Sequence, residues 1–135
     1  MTDATKLIAG LLLVAVTTIE YGGTFLLRIL SGSFAEFTEF QRSMFRAGHA
    51  HAGVLTILAL VALLFTDQAS LSGSIGWAVR IGFAAAPVLV SAGFFGAAIA
   101  NRNRPGPLIG LLWVGVFVLG GSLIALAIGL LRARA

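Results

Sequence analysis

LIGLLWVGVFVLGGSLIALAIGLL, residues 108–131, contains no Asp, Glu, Lys, Arg or His. A helix that crosses a bilayer needs about 20 mostly apolar residues, and this run supplies them. Three more runs of the same kind lie upstream, at about 7–30, 43–65 and 75–100. Only 10% of the 135 residues are charged, 59% are hydrophobic, and the mean hydropathy is +1.02. So few charges cannot cover a water-facing surface, since soluble domains carry about 25%. The expected fold is an all-α membrane protein. It has four transmembrane helices in a bundle and forms a single domain, because an open sheet would leave backbone groups unpaired in lipid.

The breaks between the runs are polar. Residues 66–74, TDQASLSGS, form a hairpin loop, and residues 101–107, NRNRPGP, a basic turn whose prolines stop one helix and restart the next. Pro87 falls inside the third run and is expected to kink it. Trp77 and Trp113 stand near run starts, where indoles favour the interface. The first connection is less polar. Over 33–42 and into Met44 and Phe45, Phe34, Phe37, Met44 and Phe45 share a helical stripe that Glu36, Glu39 and Arg42 avoid. This pattern predicts a short amphipathic helix lying in the interface. The N-terminal run is too long for a signal h-region, carries Glu20 and lacks a small-residue cleavage site, so it reads as a retained first span.

Nine Lys and Arg against five Asp and Glu give a net charge of +4. The basic excess suits contact with anionic headgroups. No basic face is interleaved with aromatics, so no nucleic-acid partner is expected. Without cysteine, disulfides, thiolate metal sites and cysteine nucleophiles are excluded. No serine or threonine sits in a nucleophile elbow or triad setting, and phosphate-binding glycine motifs are missing. Lys and Arg divide almost evenly between the two sides of a four-span topology, so the positive-inside rule sets almost no orientation. Either partners fix the orientation or two copies pair antiparallel. A homo-oligomer, most simply a dimer, is expected on this ground, in a bacterial-type inner membrane.

The ionisable residues inside the runs are each functional-site hypotheses. Glu20 lies about 15 Å before the end of the first run at 1.5 Å per residue. The only two histidines, His49 and His51, stand in RAGHAHAGV, residues 46–54, near the start of the second. Antiparallel neighbours then bring Glu20, Tyr21, His49 and His51 to one layer of the bilayer, with Ser91 of the third run at a similar depth and Arg46 nearer the surface. On a helix, residues i and i+2 point about 200° apart, so the two imidazoles cannot hold one metal from a regular helix. Gly48 and Gly53, with alanines between them, would let another helix or a flat cofactor approach closely. Gly22 and Gly23 would allow the same beside Glu20, or would loosen the helix there. Glycines 93, 96, 115, 120 and 121 read as helix-contact positions. Arg80 reads as a snorkelling side chain and Asp67 as a solvated loop residue.

His49-Ala50-His51-Ala52-Gly53-Val54-Leu55 resembles the His-x-His stretch in a haem-ligand helix of haem–copper oxidases, nitric oxide reductases and their small relatives. The resemblance covers about 20 residues. It implies haem ligation by histidines on two helices. No other run here carries a histidine, so the opposing ligand would come from a second copy. The copper-site histidines of the oxidases are absent, so reduction of oxygen or nitric oxide by this chain alone is not implied.

Three functional readings follow. The first is a site of His49, His51 and Glu20, supported by Tyr21, Arg46 and Ser91, that binds a transition metal or haem. The second is a proton-coupled transporter or channel subunit using the same titrating residues. The third is an accessory subunit of a larger membrane complex, in which the cluster serves packing.

Overall fold

The computed structural model describes residues 1–32 and 36–134. Four helices follow in chain order: α1 (Asp3–Leu30), α2 (Glu39–Thr66), α3 (Gly73–Ala100) and α4 (Ile109–Arg132). Each is long and apolar enough to cross a membrane. The architecture is that of a multi-pass helical membrane protein. At 1.5 Å per residue the 28-residue helices are about 42 Å long, so their ends reach past a hydrocarbon core of about 30 Å.

Two helix starts lie upstream of the expected positions, and capping explains both. Thr2 caps α1 by accepting from the Thr5 amide, so the helix begins at Asp3. Thr38 and Gln41 form a reciprocal capping box, the arrangement that satisfies two amides a helix start leaves orphaned. α2 therefore begins at Glu39 rather than near residue 43. This changes the reading of the first connection. Glu39–Arg42 are the opening turn of α2 and not part of a separate interfacial helix. Residues 36–38 are not helical, and residues 33–35 lie outside the described residues. α1 ends where Gly32 takes a positive φ of 81°, which an L side chain rarely adopts.

The helices are not equivalent in packing. α3 packs along both α2 and α4, α1 rests mainly on α2, and α1 does not reach α4 among the described residues. The α3–α4 contact depends on glycine. Gly93 and Gly96 lie against Leu112 and Leu108, and Gly115 against Leu89 and Val90. With no hydrophobic drive between helices in lipid, such close approach is what gains dispersion energy. Gly120 and Gly121, also expected at a helix contact, meet nothing within 4 Å. α3 continues as helix through Pro87, and α1 through Gly22 and Gly23. The main core gathers Ile8 and Leu12 of α1, Ala59 and Leu63 of α2, Val79 and Phe83 of α3, and Leu126 of α4. A second, smaller cluster of Ile29, Phe45 and Ala98 closes the opposite end, with Phe37 edge-on to Phe45 at 5.2 Å.

Candidate functional site

His49 lies half-buried between α2 and α1. Its ring is 3.4 Å from where a Cβ on Gly23 would stand and 3.9 Å from one on Gly22. A Cβ at either glycine would be in ordinary van der Waals contact with the ring, so the imidazole lies close against the α1 backbone. His49 makes no hydrogen bond among the described residues.

His51 points elsewhere, as the 200° between i and i+2 requires. It is exposed, and its ring packs on Phe94 of α3 with centroids 4.9 Å apart. Its Nδ1 is 2.8 Å from the Ala47 carbonyl oxygen. A carbonyl only accepts, so Nδ1 is the protonated nitrogen and donates. In the neutral ring this makes Nε2 the lone pair, and Nε2 has no partner among the described residues. The same segment explains Gly48. A Cβ there would lie 3.1 Å from Phe94 and 3.2 Å from Phe95, so glycine lets α3 press against α2 where Phe94 carries the His51 ring.

The other expected members do not join these rings. Glu20 and Tyr21 are on the exposed side of α1, Tyr21 at 78% exposure. Glu20 forms no ion pair or hydrogen bond among the described residues. Thr17, Glu20, Thr24 and Arg28 recur at intervals of three and four, so a polar stripe runs along the exposed side of α1. Arg46 is exposed, and Gly53 has open space around it. Ser91 is buried and its hydroxyl has no partner among the described residues. No three His, Asp or Glu side chains converge on one point among the described residues.

The sequence reading missed one polar centre. Arg80 is buried, not snorkelling, and Asp67 is not simply solvated. The Arg80 guanidinium donates to Asp67 Oδ1 at 2.6 Å through Nη2 and to Thr5 Oγ1 at 2.8 Å through Nε. Asp67 also accepts from the Thr2 amide at 2.6 Å and the Thr5 hydroxyl at 2.7 Å. The cluster ties the start of α1, the end of α2 and the first turns of α3. Burial works to raise the Asp67 pKa. The hydrogen bonds from Thr5, Arg80 and Thr2 outweigh it and hold the carboxyl well below the usual carboxylate range. The readable signal was an arginine inside one span and an aspartate at the end of the preceding one, both on the same membrane side.

The opposite end has its own polar ties. Gln41 is buried and donates to the Ala98 carbonyl at 3.0 Å, Thr38 donates to the Arg102 carbonyl, and Arg102 donates to the Glu36 carbonyl. Compared with protein-family models, curated proteins and solved structures, the chain matches none.

Proposed function

We propose that this protein binds a haem or a transition metal through His51, with a second copy of the chain supplying the opposing ligand, in a bacterial-type inner membrane. The observation that supports it most directly is the bond from His51 Nδ1 to the Ala47 carbonyl. Ligating histidines nearly always donate their other ring nitrogen to a carbonyl or carboxylate, which fixes the tautomer and the ring plane. Here that donation and the stack on Phe94 orient an exposed imidazole whose Nε2 has no partner among the described residues. Iron or copper held there would supply one-electron redox chemistry. His49, seated on Gly22 and Gly23, acts in this reading as a positioning residue for the α1–α2 contact. The second copy is argued from Glu20. A carboxylate inside a span costs on the order of 2.5–3.5 kcal/mol unless it is partnered, and Glu20 has no partner among the described residues.

Wild-type protein from cells supplied with haem and metals is expected to show a Soret band, or stoichiometric iron, copper or zinc by elemental analysis. His51→Ala should lose the signal entirely. His49→Ala should keep it at reduced occupancy. A colourless, metal-free wild type would overturn the reading.

A second reading, a proton-coupled transport subunit, is favoured by the polar stripe on α1. It predicts pH-dependent flux in liposomes that Glu20→Gln abolishes and His51→Ala leaves largely intact.

A further inference from the structure

Between α3 and α4, at the end of the molecule that carries both termini, lies a cavity of about 400 Å³. It continues toward the middle of the bundle as a shallower groove of about 250 Å³, and Ile75 and Ala125 line both. On the α4 side the lining includes Phe117, Gly121, Ala125, Ile128 and Arg132. Their spacing of three and four puts them on one face of the helix. From Phe117 to Arg132 this stripe is about 22 Å long at 1.5 Å per residue. One leaflet of hydrocarbon is about 15 Å deep, half of a 30 Å core. The stripe therefore covers the depth of an acyl chain and the start of its headgroup.

The groove changes character along its length. Its inner part is apolar, and its floor is open at Gly121, where a Cβ would meet nothing within 4 Å. Its mouth carries Ser70, Ser72 and Arg132. The mouth is also electropositive by elimination. Among the described residues the carboxylates of this end are Asp3 and Asp67, engaged by Lys6 at 3.1 Å and Arg80 at 2.6 Å, while Arg132 has no ion pair there. α3 starts beside the mouth, and Ser72 makes no side-chain cap for it. The first amides of α3 thus add donors and the positive end of a helix dipole.

We propose that this groove binds one anionic phospholipid from the surrounding bilayer, with the phosphate at Arg132 and one acyl chain along the stripe from Ile128 to Phe117. Charge complementarity selects the headgroup, and the apolar length selects a lipid over free phosphate. Native mass spectrometry of the full-length protein in detergent with equal phosphatidylglycerol and phosphatidylcholine tests it. Wild type is expected to retain one phosphatidylglycerol in preference to phosphatidylcholine. Arg132→Gln should lower that retention about fivefold, the effect of one arginine at an anionic surface. Gly121→Leu, whose side chain projects into open space, should also lower it by obstructing the acyl chain. Circular dichroism checks that both variants keep their helicity. Equal retention of the two lipids by wild type would overturn the proposal, as would unchanged retention in either variant. Efficient disulfide dimerisation of Ile128→Cys in vesicles, with no lipid preference, would assign the groove to a second copy instead.

Discussion

Replacing Asp67 with alanine is expected to lower the unfolding free energy by about 3 kcal/mol, because it leaves Arg80 buried without its counter-charge. The guanidinium is held between Asp67 and Thr5, and after the substitution only one hydroxyl faces it. The double variant Asp67→Leu/Arg80→Met should recover most of the loss, since replacing both ions with apolar groups of similar volume is often neutral or stabilising. Unfolding in mixed micelles with increasing dodecyl sulfate, followed by circular dichroism, reads both. A single variant as stable as wild type would mean that the cluster carries no net energy.

The same cluster fixes a pH dependence. The folded-state pKa of Asp67 is depressed, so its contribution is fully present above the unfolded value of about 3.9. It declines as pH falls below that value and through the folded one. Thermal midpoints should therefore be flat on this account from pH 8 to 5 and fall below about pH 4. Asp67→Asn should remove that acid limb. A midpoint that falls between pH 7 and 5 in wild type and not in Asp67→Asn would contradict the assignment.

The other large effect is expected at Gly93. A Cβ there would stand 2.6 Å from Leu112 Cβ and 2.8 Å from Leu112 Cα. The obstacle includes backbone, so no rotamer change relieves it and α4 must move. Gly93→Ala is expected to cost about 2–3 kcal/mol, the upper range for overpacking, and Gly93→Leu more. Gly121→Ala is the control. Its Cβ meets nothing, and helix propensity alone favours alanine by up to about 1 kcal/mol. The dodecyl sulfate series should separate the two clearly. Equal effects at both positions would mean that the α3–α4 contact does not stabilise the fold.

The sequence alone determined the class and number of the helices. Runs of about 20 apolar residues punctuated by Asp, Asn, Arg and Pro leave a chain in lipid no alternative but helices. It also determined the α2 start. Thr38-Glu39-Phe40-Gln41 is a capping box written in four residues, and it sets the helix start four residues upstream of the apolar run. The angle between His49 and His51 followed from helix geometry, and the structure has one facing α1 and the other on Phe94.

Tertiary structure decided which polar groups meet. Shared depth placed Glu20, His49 and His51 in one layer, but depth is a single coordinate, and facing depends on how each helix is rotated about its axis. That rotation is set by where glycine lets backbones approach, at Gly48 against Phe95 and at Gly93 against Leu112. It turned Glu20 outward and brought Arg80 and Asp67 together. In lipid, where every side chain outside the contact is equally welcome to be apolar, the hydrophobic pattern of a helix says little about its buried face. Small residues and paired charges decide it, and those act only between helices.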